Sequence, residues 1–129
     1  MTRLLTFFLI LMSLFINTNE SSSKEIVILH TNDIESVYEP IQAVWRDDME
    51  LIGGISHLAS LIDNVRASEK ISFLVDAGDI YTGALSKKTR GKLPFDLYNA
   101  MGYDALNIGN HEFEYNWEPL VEIIPRANF

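Results

Sequence analysis

Asn110, His111, Glu112 and Glu114 follow a glycine in the stretch NIGNHEFE. An amide oxygen, an imidazole and carboxylates set so close together can ligate a cation, hold or move a proton, or form a polar turn with no chemistry. His111 to Tyr115, HEFEY, also approaches the zinc-protease pattern His-Glu-x-x-His. Tyr115 stands where the second imidazole would be, which removes that reading. Two further stretches share the oxygen-rich character: HTNDIES, with Asp33 and Glu35, and DAGDIYTG, with Asp76 and Asp79. Carboxylates gathered in one place repel, and burial disfavours their charged form, so a bare cluster opposes folding. A bound divalent cation reverses that sign. The economical chemistry is a metal site with ligands drawn from separate loops.

Such a site needs elements that end side by side. EIVILH, Glu25 to His30, is a β-branched apolar run that suits a buried strand. ISFLV, Ile71 to Val75, predicts a second strand, and ALNI, Ala105 to Ile108, a weaker third. Between them, Gly53 to Ser68 places Ile55, Leu58, Ala59, Ile62 and Val65 at helical spacing. Pro94 to Gly102 has proline near its start and glycine at its end, and Trp117 to Ile124 predicts a last helix. This βαβαβα order implies an α/β fold with a parallel sheet. Ligands of such sheets bind beyond the carboxyl ends of the strands, which is where each oxygen-rich stretch falls. Gly78 and Gly109, each just before a proposed ligand, suit a backbone that turns sharply or approaches another closely.

Composition narrows the classes. The chain has 129 residues, no cysteine and a formal charge of −8, so there is no disulfide framework or thiolate site. The acidic balance argues against nucleic acid as a partner. The one basic cluster, Lys87 to Lys92, reads as a solvated loop rather than a phosphate-gripping patch. No Gly-x-x-x-x-Gly-Lys-Ser/Thr loop, no Gly-x-Gly-x-x-Gly after the first strand and no Gly-x-Ser-x-Gly elbow is present. Residues 1–22 have the order of a signal peptide: Arg3, an apolar run from Leu4 to Ile16, then polar NTNESSSKE. That run is shorter than the roughly 20 residues that span a bilayer. A secreted, periplasmic or cell-envelope location follows, with membrane contact only through the leader if it is uncleaved. Residues 23–129 are then left for the fold.

ILHTND, DAGDIYTG and MGYDALNIGNHEFE, in this order and spacing, resemble the calcineurin-like metallophosphoesterases, most closely their 5′-nucleotidase and UDP-sugar hydrolase branch. The resemblance runs from Ile26 to Phe129. It implies an α/β/β/α sandwich around two divalent ions (manganese, zinc, magnesium or iron) and a water, activated by both ions, that attacks a phosphate ester, here of nucleotide type. By this resemblance Asp33 binds the first metal, Asp79 bridges both, and Asn110 ligates the second and touches substrate. His111 binds the phosphoryl group, stabilises its transition state and assists the leaving oxygen. Two positions depart from the family pattern. Glu35 replaces the usual histidine of Asp-x-His; as a retained ligand it favours manganese, magnesium or iron over zinc, and otherwise it drops out of the site. Glu114 replaces the usual aspartate that orients the imidazole, one methylene longer; it either keeps that catalytic role or is a solvated acid. The blander readings are His57 as a surface or packing histidine, His30 as structural and Asp76 as a hydrogen-bonded loop former.

The family completes its site with later histidines, including a Gly-His-x-His segment, and carries a C-terminal domain that grips the nucleoside. The resemblance therefore implies that this chain is the N-terminal part, about the first third, of a longer enzyme, and it makes a missing C-terminal domain an expected partner. The alternative is a truncated, non-catalytic relative that binds metal weakly at most.

Overall fold

A computed structural model describes residues 23–69 and 72–129, so the proposed leader, residues 1–22, lies outside the described residues. The elements in chain order are β1 (Val27–Thr31), β2 (Ile41–Gln42), β3 (Leu51–Ile52), α1 (Ile55–Ser68), β4 (Ser72–Asp76), α2 (Gly83–Thr89), α3 (Lys92–Met101), β5 (Ala105–Leu106) and α4 (Trp117–Ile123). Short 3-10 turns cover His111–Phe113 and Ile124–Arg126. β1, β4 and β5 form a parallel sheet with β4 in the middle, and β2 and β3 form a separate antiparallel pair. Thr31 lies opposite Asp76, and Asp76 opposite Leu106, so the carboxyl ends of the three strands are level. That alignment brings the three oxygen-rich stretches to one edge.

The core gathers around the central strand. Leu74 of β4 is fully buried, and Ile62 of α1, Phe95, Tyr98 and Met101 of α3, and Leu120 and Ile123 of α4 close around it with Ile80 and Tyr103. Residues 95, 98 and 101 recur at the spacing of one helix face, which is why α3 buries a continuous stripe. Gly102 ends that helix in the left-handed conformation, at φ 67°. Arg66 of α1 donates to the carbonyls of Met101 and Gly102, both at 2.6 Å, placing a cation on the negative end of the α3 dipole.

Asp76 anchors the polar end of β4. It is buried, and it accepts bonds from Gly78 N at 2.7 Å, Tyr98 Oη at 2.7 Å and the Thr31 hydroxyl. Burial, and then the adjoining Asp76 carboxylate, push the Tyr98 phenol far above its ordinary pKa, so it stays a donor. This is the hydrogen-bonded loop-forming role read from the sequence. His57 is exposed in α1, its Nδ1 2.8 Å from the Gly53 carbonyl.

Three local expectations are corrected. The Lys87 to Lys92 segment is not a loop: Lys87 and Lys88 close α2, Arg90 turns left-handed at φ 50°, and Lys92 opens α3. Its polar sequence hid α2 and the first turn of α3 because the punctuation lies in the left-handed Arg90 and Gly91 rather than in any apolar stripe. The third strand stops at Leu106, two residues early, although Asn107 N still donates to the Asp76 carbonyl at 2.8 Å. The hairpin of β2 and β3, each of two residues, was not anticipated. Such short strands carry too few residues for an alternating pattern to register.

Candidate functional site

The loop after β1 reaches the loop after β4 through backbone bonds: Asp33 N donates to the Gly78 carbonyl at 3.1 Å and Glu35 N to the Asp79 carbonyl at 3.2 Å. The loop after β4 reaches the loop after β5 through a carboxylate, with Asp79 Oδ1 accepting His111 N at 2.8 Å. Three segments far apart in sequence are thereby stitched together at the sheet edge. Asp33, Glu35 and Asp79 all hold positive φ, at 52°, 45° and 62°. Non-glycine residues rarely adopt that conformation, and it persists where surrounding bonds over-determine it.

Two glycines permit the contact between the second and third loops. A Cβ on Gly78 (φ 107°) would lie 2.6 Å from Gly109 N, and one on Gly109 would lie 2.4 Å from Asp79 Oδ1. No side chain fits at either place, so both glycines serve close approach as their positions suggested.

His111 sits between two acids. Its Nδ1 is 3.1 Å from Glu114 Oε2 and its Nε2 is 3.6 Å from Glu35 Oε1. The longer Glu114 reaches the imidazole with its carboxylate held from behind by the Thr82 hydroxyl. Thr82 is itself tied down, because its carbonyl accepts the Ser36 hydroxyl, which also lies 2.5 Å from Ser86 Oγ. The Glu114 bond raises the His111 pKa above its ordinary value; desolvation opposes it as the second-largest influence, and the charges of Asp79 and Glu35 add to the rise. Thr82 first, and His111 second, hold Glu114 below the ordinary carboxylate value. Asn110 opens the 3-10 turn that carries His111, its carbonyl accepting Phe113 N at 3.1 Å.

Sequence reasoning gave Glu112 no role. It is fully buried, and its carboxylate accepts four backbone N–H groups: Ile80 at 2.8 Å, Tyr81 and Asp79 at 3.0 Å, and Gly109 at 2.6 Å. The signal available was indirect. A left-handed turn at Gly78 and Asp79 aims successive N–H groups at one point, and those donors need an acceptor. Thr82 was missed as well, for want of any pattern that links it to Glu114.

Hard oxygen donors on three stitched loops fit a divalent cation in chemical type. Among the described residues, however, no group of three or more His, Asp or Glu side chains is arranged to hold a metal ion. Asp33, Glu35, Asp79 and Asn110 are carried on these joined loops as candidate donors. Among the described residues no helix is long and apolar enough to cross a membrane.

Comparison with known proteins bears on this edge. The sequence model of the calcineurin-like phosphoesterases matches residues 26–127. The 5′-nucleotidase of Bos taurus is 34% identical over 110 residues, which cover 81% of this chain and 19% of that protein. The snake venom 5′-nucleotidase of Gloydius brevicauda is 34% identical over 116 residues, covering 84% of this chain and 19% of the relative. Among solved structures, the 5′-nucleotidase precursor of Thermus thermophilus superposes with a TM-score of 0.73 at 31% identity, over 79% of this chain and 20% of that one. The NAD nucleotidase of Haemophilus influenzae gives a TM-score of 0.70 at 28% identity, over 79% and 19%. The chain thus spans about a fifth of the length of these relatives, less than the third expected from its motifs.

Proposed function

This chain belongs to the calcineurin-like phosphoesterase family, with the α/β N-terminal fold seen in solved 5′-nucleotidases, and from that premise we propose that it carries the first three site loops of an exported, divalent-metal-dependent phosphoesterase acting on nucleotides. Asp33, Asp79 and Asn110 would hold metal, joined by Glu35, with further donors completing the set. Two cations, when bound, supply Lewis-acid stabilisation of charge on the attacking and leaving oxygens. The chain's own contribution is more specific. Asp79 fixes the His111 backbone through a carboxylate bond. Glu114 and Thr82 orient the imidazole. His111, its pKa raised above the ordinary value by the Glu114 bond, is placed to donate a hydrogen bond to a phosphoryl oxygen or a proton to the leaving oxygen.

The observation that carries the reading is the three-loop junction, in which Asp33, Glu35, Asp79 and His111 are brought together by bonds between loops rather than within them. The names of the relatives support nucleotides as the substrate class. Export rests on the charge and hydropathy order of residues 1–22. The decisive experiment is metal analysis of the full-length protein together with a phosphatase panel of AMP, cyclic nucleotides and UDP-sugars. Metal-dependent release of phosphate from AMP is expected; hydrolysis indifferent to chelation would refute the reading.

The lack of any three-donor group among the described residues favours a second reading, a non-catalytic relative that binds metal weakly. Sub-stoichiometric manganese and no turnover across the panel would select it.

A further inference from the structure

We propose that Glu112 is a positioning residue for the site, its buried carboxylate setting the separation between Asp79 and the Asn110–His111 pair; this rests on the metal-dependent reading above. Glu112 is fully buried and forms no ion pair among the described residues. A carboxylate taken out of water is costly unless donors replace its hydration. Here the replacement is entirely backbone, and it comes from two loops. Oε1 accepts Ile80 N and Tyr81 N, whereas Oε2 is shared by Asp79 N at 3.0 Å and Gly109 N at 2.6 Å. One oxygen atom therefore links the amide of the proposed bridging ligand to the amide next to the proposed Asn110 ligand.

That link fixes what the backbone leaves free. Asp79 holds a left-handed conformation, which a flexible loop would abandon. Glu112 reads the loop by three successive amides, an arrangement that favours an anion. Asp79 Oδ1 then returns a bond to His111 N. Glu112 and Asp79 thus clasp the two loops from opposite directions, and the pair defines where the Asp79 side chain can point. A purely space-filling role would be served by an apolar side chain and would leave metal affinity alone.

Glu112→Gln separates the two roles. Its amide keeps one acceptor oxygen for one pair of N–H groups and turns an NH₂ donor toward the other pair. Glu112→Asp retains the charge but retracts it by a methylene. In the full-length protein, amide exchange at Asp79, Ile80, Tyr81 and Gly109 is compared with exchange at Leu74, and Mn²⁺ affinity is measured by calorimetry on the same samples. In Glu112→Gln the four amides should exchange about ten-fold faster or more while Leu74 stays protected, and Mn²⁺ should bind about ten-fold weaker or more. Glu112→Asp should recover part of both losses. Unchanged exchange at the four amides overturns the proposal, as does unchanged Mn²⁺ affinity in a variant whose loops have loosened. If Leu74 loses protection together with Asp79 in both variants, Glu112 serves the core alone and the proposal falls. Wild-type protein that takes up no Mn²⁺ refutes the metal-dependent reading itself, an outcome visible before any variant is made; wild-type uptake matched by both variants removes only the role of Glu112.

Discussion

Two carboxylates two residues apart, Glu112 and Glu114, meet opposite environments. Glu112 points into the core and is surrounded by backbone donors. Glu114 points to solvent, 39% exposed, and is held by one hydroxyl and one imidazole. The buried acid is bound by groups that cannot move without unfolding a loop. The exposed acid is bound by side chains, one of them an imidazole whose charge, when present, water screens. Within one short turn the protein therefore separates a rigid anchor from an adjustable imidazole–carboxylate pair. Geometry is set on the inner side and protonation on the outer side.

The sharpest test of that division is His111→Ala, on the outer side. Turnover of the full-length protein should fall by about 10²- to 10⁴-fold, the range of a lost general acid–base group, while metal content is retained. Steady-state kinetics paired with metal analysis decides. A parallel loss of metal would place His111 with the anchors and erase the contrast.

On the inner side, Glu112→Ala should lower folding stability by about 3 kcal/mol or more, because four buried amides lose their acceptor. Urea denaturation measures it, with Glu114→Ala as the outer counterpart whose midpoint should barely move. Equal midpoint shifts would mean that the two acids are structurally equivalent. Gly78→Ala comes next, at about 1–3 kcal/mol, from its positive φ and the Cβ placed 2.6 Å from Gly109 N. A neutral Gly78→Ala would show that the two loops can separate without penalty. Glu35→Ala should leave stability alone and weaken Mn²⁺ binding; unchanged stoichiometry and affinity would remove Glu35 from the site.

The same division explains what could be read in advance. Strands β1 and β4 are apolar runs with enough residues to reveal themselves, and the carboxyl-end rule then located Asp33, Glu35, Asp79 and Asn110 at one edge. Gly78 and Gly109 announced a close approach because only glycine tolerates one. Glu112 gave no such sign. A buried carboxylate satisfied by backbone amides looks, in sequence, like any surface acid, since its partners are N–H groups that nearly every residue owns. Thr82 was hidden for a related reason: its bond to Glu114 joins residues 32 apart in sequence through side chains of no distinctive type. The short helix α2 and the hairpin of β2 and β3 were obscure because they are stabilised by turns and packing rather than by hydrophobic period.

The smallest effect is the most diagnostic of the outer side. His111 has its pKa raised above the ordinary 6.5, with the Glu114 bond as the largest cause. Its contribution to folding is therefore complete below about pH 6.5 and is lost as pH rises through the folded value. Glu114 has its pKa lowered from 4.5, so its contribution is present above that value and is lost as pH falls through the folded one. The pair is most favourable between these limits, with both partners charged. In metal-free protein, an NMR titration of the His111 ring should show a midpoint above 6.5, and Glu114→Gln should lower it, because the Glu114 bond is the largest cause of the shift. Thr82→Val should leave the His111 midpoint raised but bring the Glu114 midpoint back toward 4.5, since Thr82 is the first cause of that shift. If Glu114→Gln leaves the His111 midpoint where it was, Asp79 and Glu35 alone raise it, and the separation between the anchor and the imidazole–carboxylate pair does not hold.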